Sequence, residues 1–189
     1  MSKCVVLIGI KHSGKTTTGT QLAKQLSVPF FDIDHVIEQQ TGRTCRDIFA
    51  KDGFEAFKHA ELEACKYICD EQQNIFVDGR TKSVISAGGG ICENEQALEI
   101  LKAIGVFIYL DISCDIAFER IVENSKRTGS FPATLGIIDV TPLNVMQERF
   151  SQQYTSRTEK YLALADITVK MDDLTKDEII QKIITETNF

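Results

Sequence analysis

Apolar residues along this chain fall into two patterns: short unbroken runs, and longer stretches in which they recur every three or four positions. Cys4-Val5-Val6-Leu7-Ile8 and Val106-Phe107-Ile108-Tyr109-Leu110 are unbroken, as expected of strands buried on both faces of a parallel sheet. Pro29-Phe30-Phe31-Asp32 and Ile167 to Val169 predict two shorter strands. Two β-branched runs, Ile75-Phe76-Val77 and Ser83-Val84-Ile85-Ser86, compete for a fifth, and the second has the stronger turn signal behind it in Gly88-Gly89-Gly90. Helical spacing predicts helices over Thr16 to Leu26, His35 to about Gln40 with Gly42 as the stop, Cys45 to Ala50, and Gly53 to Asp70. It returns over Glu93 to Ile104, Cys114 to about Glu123, Leu143 to Leu164 and Lys176 to Thr185. Strands alternating with helices over short connections predict a doubly wound α/β fold, a mostly parallel sheet flanked by helices. The pattern breaks over 124–143, which is long for a connection in a compact domain and suggests a lid.

At 189 residues the chain is expected to form a single domain over 1–189 and to bury enough surface to need no disulfides. Its 21 basic and 27 acidic residues give a net charge of −6. That balance excludes a general nucleic-acid binder, which needs a basic surface, so an anionic ligand must be held by a local cluster of donors. Cys4, Cys45, Cys65, Cys69, Cys92 and Cys114 show no C-x-x-C spacing and are expected to be small buried hydrophobes in a reducing compartment. The unpaired His12, His35 and His59 suggest surface or capping roles, and Phe54 with Phe57 a piece of core. No apolar run approaches the roughly 20 residues of a membrane span. A soluble, cytoplasmic protein is expected, with no nucleic-acid or membrane partner, and a monomer.

The most specific local signal is Gly9-Ile10-Lys11-His12-Ser13-Gly14-Lys15-Thr16, which fits G-x-x-x-x-G-K-[ST] at every fixed position. A buried strand precedes it and an amphipathic helix follows, the context that chemistry requires. The backbone of Gly9, Lys11, Ser13 and Gly14 can converge on phosphate at a helix N-terminus. Lys15 reaches the β/γ-phosphates, and the Thr16 hydroxyl, followed by Thr17 in the first helical turn, joins an Mg²⁺ shell. No guanine-reading N/T-K-x-D occurs, because Thr175-Lys176-Asp177-Glu178 fails at its fourth position. ATP is therefore favoured, and the chain length suits a small-molecule kinase.

Beyond the P-loop come Phe31-Asp32-Ile33-Asp34, Thr41-Gly42, Ile48-Phe49, Gly53 to Glu61 and Ala87-Gly88-Gly89-Gly90-Ile91, then Arg157-Thr158-Glu159-Lys160-Tyr161 and Ala165-Asp166. In order and spacing this set resembles the shikimate kinase family over almost the whole chain. The resemblance implies transfer of the ATP γ-phosphate to the 3-hydroxyl of shikimate with Mg²⁺. It implies that Asp32 helps hold the metal and that Asp34 receives the substrate hydroxyls as base or orienter. Lys58, Gly88, Gly89, Gly90 and Arg157 would bind substrate, with Arg157 taking the carboxylate. Arg120 would lie near adenine, and Arg127 would be the catalytic lid cation. On their own residue pattern, Asp32 and Asp34 lie two apart at the end of a strand, and point the same way if it stays extended.

Two departures from the family stand out. Where it has F-R-x-x-E, this chain has Phe57-Lys58-His59-Ala60-Glu61. Lysine keeps the charge and loses the planar fork, so shikimate binds weakly, a neighbour compensates, or the substrate differs. Arg120 and Arg127 keep the seven-residue spacing of the family's arginine pair, but Thr128 replaces its proline; another alignment puts Phe131-Pro132 there. The alternatives are a related P-loop kinase for another hydroxylated acid and a catalytically weak nucleotide-binding regulatory domain.

Overall fold

The computed structural model describes residues 3–75, 81–129, 131–132, 134–135 and 141–187. Five strands, β1 (Lys3–Ile8), β2 (Phe30–Asp32), β3 (Thr81–Ser86), β4 (Gly105–Asp111) and β5 (Ile167–Lys170), form one sheet in the order β2-β3-β1-β4-β5. Every pairing is parallel. The helices are α1 (Lys15–Leu26), α2 (Ile33–Thr41), α3 (Cys45–Asn74), α4 (Glu95–Ile104), α5 (Cys114–Thr128), α6 (Leu143–Leu164) and α7 (Lys176–Thr187).

The unbroken apolar run of β1 is explained by two cores, one on each face of the sheet. Val5 and Leu7 join Val84, Ile108 and Leu110 under α1, α5 and α7, with Leu22, Phe118, Ile121 and Ile180 packed on them. Cys4, Val6 and Ile8 join Ile85, Phe107 and Tyr109 under α2, α3 and α4, against Ile37, Ile68 and Leu101. Alternate residues of one strand thus feed opposite layers, and neither set can be polar. Helix α6 serves both layers, giving Met146 and Phe150 to the first and Tyr161 to the second.

Of the two competing runs, Ser83–Ser86 is the sheet strand; Ile75 caps α3, and Phe76-Val77 lie outside the described residues. The two helices expected on either side of Lys51-Asp52 are joined end to end in α3, broken only at Gly53, whose φ of 87° is not helical. Helix α4 starts two residues late, because Asn94 is its N-cap and Ile91–Glu93 form a short 3-10 turn. Helix α5 runs past Glu123 to Thr128 and ends at Gly129, whose φ of 70° and backbone N–H to Ser125 close it. The lid expected over 124–143 therefore begins as helix. Part of its remainder lies outside the described residues, while Phe131 and Leu135 are buried in the first core.

One helical glycine is fixed by packing. A Cβ on Gly19 would lie 2.5 Å from a ring carbon of Phe30 and 3.2 Å from Leu7 Cδ1. In an exposed helix Gly→Ala gains about 1 kcal/mol; overpacking a core costs about 1–3 kcal/mol. Gly19→Ala is therefore expected to lower Tm by roughly 2–6 °C for a chain this size. A scanning-calorimetry Tm at or above the parent's would show that the Phe30 ring yields freely.

Candidate active site

Strands β1 and β3 are neighbours, so the loops leaving their C-terminal ends meet in space. The pairing continues past the strands through Ala87 N–H to Leu7 O at 3.0 Å. Crevices at such strand ends are where open α/β sheets bind ligands. The first loop is the P-loop. Gly9 has φ 148°, and a Cβ there would lie 2.9 Å from both Leu110 O and Ser13 Oγ, so only glycine passes. Lys15 Nζ donates to Gly9 O and Ile10 O, each at 2.9 Å, and to Ser13 Oγ at 3.3 Å. The residue as a whole is 7% exposed. Burial pulls its pKa down to about 8, opposed by Asp34 and Asp32, which leaves it mainly protonated at neutral pH.

The second loop is Gly88-Gly89-Gly90, and it presses on everything around it. A Cβ on Gly89 would lie 2.8 Å from Lys11 N; one on Gly88 would lie 3.0 Å from Glu61 Oε1 and 3.2 Å from Asp34 Oδ1. A Cβ on Gly90 would lie 3.5 Å from a terminal nitrogen of the Arg157 guanidinium. These distances tie the P-loop, two acids and one guanidinium to a single stretch of bare backbone.

Asp32 and Asp34 are brought together differently from the extended-strand expectation. The strand stops at Asp32, which caps α2 through its carboxylate: Oδ1 accepts from the N–H of Asp34 at 3.1 Å and of His35 at 3.4 Å. Its Oδ2 accepts from Thr16 Oγ1 at 2.7 Å. Asp34 sits in the first turn of α2, where the helix dipole favours a carboxylate. Burial nevertheless raises its pKa, and the charge of Asp32 adds to the rise.

Two adjoining cavities open here. One of about 680 Å³ is lined by Lys15, Thr16, Thr17, Asp32, Arg120 and Arg127, among others. The other, about 570 Å³, is lined by Phe49, Phe57, Lys58, Glu61, Gly90 and Arg157, among others. Lys11, His12, Asp34, Gly89 and Asn124 line both. Asp34 thus stands at the junction of a chamber lined by the P-loop and an aromatic, cationic one. Among the described residues the two chambers are lined by eight Lys or Arg side chains against four carboxylates, reversing locally the net −6 of the chain.

The predicted site residues come together, with differences. Arg120 donates to His12 O at 3.2 Å and Arg127 to Asn124 Oδ1 at 3.0 Å; both project from α5 towards the first chamber. Phe131, the rival for the lid position, is buried and lines the second with Pro132. Lys58 Nζ stands 3.6 Å from Glu55 and 5.5 Å from the centre of the Phe54 ring. Phe54 is cavity wall and 40% exposed, not core. His12 belongs to the site as well, contrary to its expected surface or capping role. Its φ is 64°, and burial with nearby Lys11 and Lys15 holds its pKa down at about 4, so it is neutral at pH 7. The expectation of buried cysteines holds for Cys4, Cys65 and Cys92, while Cys45 lines the second cavity.

Glu61, quoted in the sequence only as part of a motif, is a central member. It is 2% exposed; Oε2 accepts from Asn94 Nδ2 at 2.9 Å, and Oε1 is buried without a partner. Burial raises its pKa to about 7, against the lowering by Asn94 and with Asp34 and Glu93 adding to the rise. Its match to the fixed acid of F-R-x-x-E was its one mark in the sequence; its burial comes from α3 crossing the glycine loop.

The chain is similar to known proteins over nearly its whole length. A family model described as shikimate kinase matches residues 11–188. The shikimate kinase of Francisella tularensis subsp. holarctica is 32% identical over 97% of this chain and 94% of its own. That of Aquifex aeolicus is 29% identical over 95% and 93%; its crystal structure superposes with a TM-score of 0.71 at 26% identity, covering 97% of this chain and 95% of that one. A shikimate kinase from Acinetobacter baumannii, solved in complex with shikimate, shares the fold with a TM-score of 0.81 at 24% identity over 100% of this chain and 94% of the other.

The raised pKa of Glu61 gives a stability signature. The folded protein holds its proton up to about pH 7, the unfolded chain only to about 4.5. Between these values the folded state binds more protons, so this contribution is fully present below pH 4.5 and is lost as pH rises through 7. Glu61→Gln keeps an acceptor for Asn94 and removes the titration. We expect its Tm to match the parent's near pH 4.5 and to exceed it at pH 8, by the equivalent of about 1–3 kcal/mol. Parallel Tm–pH curves for the two proteins would contradict a buried, titrating Glu61.

Proposed function

The chain belongs to the shikimate kinase family, and we propose that it transfers the γ-phosphoryl group of ATP to the 3-hydroxyl of shikimate, giving shikimate 3-phosphate and ADP. The observation that carries this reading is the position of Asp34, which lines both cavities. A group there reaches the γ-phosphate from one side and an acceptor hydroxyl from the other. Phosphoryl transfer asks the protein mainly for alignment and charge neutralisation, and the two chambers divide that work.

In the nucleotide chamber the loop backbone from Gly9 to Gly14 and the ammonium of Lys15 hold the β- and γ-phosphates. Lys15 is poised by loop oxygens at 2.9 and 3.3 Å, which phosphate oxygens replace. Arg120 and Arg127 border the same space; Arg127 supplies a cation near the transferred group. Thr16 Oγ1 and Asp32 Oδ2, 2.7 Å apart, are a pair of hard oxygen donors beside the phosphate cradle. That donor chemistry fits Mg²⁺, which takes one or two protein oxygens and keeps much of its water and phosphate shell. When bound, Mg²⁺ neutralises charge on the phosphate oxygens.

In the substrate chamber Arg157 and Lys58 face the carboxylate, and Asp34 with the Gly88–Gly90 backbone faces the ring hydroxyls. The acceptor oxygen forms the new P–O bond, its proton passes to a carboxylate oxygen of Asp34, and the bond from γ-phosphorus to the bridging oxygen breaks with its electron pair leaving on ADP. The upward pKa shift of Asp34 suits it to take that proton, since a base works best when its pKa lies near the working pH. Neutral His12 adds no charge at the junction. The product leads towards chorismate; we place the protein in the cytoplasm, acting as a monomer.

Two substitutions test this assignment. Lys15→Ala removes the buried ammonium and is expected to abolish ATP-dependent phosphorylation of shikimate while the circular dichroism spectrum stays that of the parent; retained turnover in a folded variant would refute the phosphate role. Asp34→Asn keeps shape and loses the proton acceptor, so kcat is expected to fall about 10²–10⁴-fold, with KM for ATP little changed. Were KM for ATP the only parameter to move, Asp34 would belong to the nucleotide side alone.

A further inference from the structure

Arg157 reaches from α6 into the substrate chamber with its side chain 14% exposed, and its fork is already engaged. Nε donates to one carboxylate oxygen of Glu93 at 3.1 Å, one terminal nitrogen donates to the other at 3.3 Å, and the second terminal nitrogen donates to Gly89 O at 3.1 Å. This is the bidentate arrangement in which a guanidinium recognises a carboxylate most specifically. Glu93 stands on the short turn directly after the glycine loop and lines the same chamber as Arg157. The ligand already on the fork is therefore a carboxylate of the chain itself.

We propose that Glu93 determines substrate specificity as an internal stand-in for the substrate carboxylate, one that an incoming carboxylate displaces from Arg157. The proposal rests on the reading that Arg157 takes the substrate carboxylate. Its physical content is an exchange of one charge-assisted pair for another. Glu93 is 30% exposed, so it can turn to water when displaced, whereas Arg157 is too enclosed to be left unpaired without loss. A carboxylate ligand can complete the exchange. A neutral ring of the same shape cannot, since displacing Glu93 would leave the enclosed guanidinium unpaired. The pair thereby lowers affinity for the correct substrate and rejects uncharged analogues more strongly, the usual signature of discrimination by an opposing contact. Lys58, drawn towards Glu55 and the Phe54 ring, leaves Arg157 the only fork held in this way among the described residues lining the chamber.

The test is a binding cycle on the full chain with shikimate, read by titration calorimetry in the parent, Glu93→Gln, Arg157→Ala and the double variant. Glutamine is nearly isosteric but competes only as a neutral acceptor, so Glu93→Gln is expected to bind shikimate about 3–10-fold more tightly, the effect of weakening one charged hydrogen-bonded pair. In the Arg157→Ala background, measured at millimolar shikimate, the same change is expected to do nothing. The methyl ester of shikimate is expected to gain less than twofold from Glu93→Gln, and KM for ATP not to follow the change. Glu93→Asp, too short to span the fork, is expected to tighten binding in the same direction and guards against a misfolded glutamine variant. Unchanged or weaker binding in both variants would overturn the proposal and make Glu93 a support that orients Arg157. Tightening that persists without Arg157 would also overturn it, pointing to a general charge effect. If Arg157→Ala alone binds shikimate like the parent, the carboxylate-anchor reading itself fails, an outcome separate from any effect at Glu93.

Discussion

The contact between Gly89 and the backbone of Lys11 governs how the site is built. With room for no more than a hydrogen where a Cβ would be 2.8 Å from Lys11 N, the β3 loop lies directly on the P-loop, and the two cannot move independently without opening a gap between the chambers. The parallel pairing of β1 with β3 sets this approach, and the Ala87 to Leu7 hydrogen bond extends it to the first glycine. Everything polar then arranges itself around the bare backbone: Asp34 and Glu61 on Gly88, Arg157 on Gly90. A side chain at any of these three positions would separate groups that the chemistry needs within reach of one another.

That crowding also explains the electrostatics. Lys15, Asp34 and Glu61 are all enclosed, and burial is the largest influence on each, lowering the lysine and raising the acids. Each shift brings a pKa closer to neutrality, the range in which protons can be exchanged at little cost. Asp32 differs in its partners: its oxygens are occupied by two backbone N–H groups and the Thr16 hydroxyl. Two acids two residues apart thus acquire different tasks, one fixed as a helix cap and oxygen donor, the other enclosed at the chamber junction.

How much of this the sequence disclosed depends on the range of the interaction. The P-loop was legible because strand, turn and helix start are contiguous, and each fixed residue answers a local requirement. The order of strands and helices was legible from periodicity, and so was the preference for Ser83–Ser86 as the strand. The pairing of Asp32 with Asp34 was expected for the wrong reason, an extended strand, where a side-chain cap starts a helix instead. Helix α5 ran past its expected end because its last turn carries polar residues that periodicity cannot separate from loop. His12 and Glu61 lay inside quoted motifs without a role of their own, whereas Glu93 and Cys45 became site residues only through contacts made across the fold, such as the 64-residue separation between Glu93 and Arg157. Single spacings hold no trace of the last two.

The acidic composition pointed to a local cluster of donors, and the cluster has a further property. Among the described residues eight cations and four carboxylates line the two chambers, so this lining is positive but not starved of counter-charge. Were it lined by cations alone, their mutual repulsion would oppose folding, and any anion of the right size would be held. The acids prevent both. Asp32 and Asp34 offset Lys15, and Glu93 occupies Arg157. Each cation that is to meet a ligand is thus kept in a formed and partly satisfied geometry beforehand. Binding then exchanges partners where otherwise it would have to organise bare charges, which reduces the ordering cost that association normally carries. Selectivity follows from the same arrangement, because a ligand must match the partner it replaces in charge and shape.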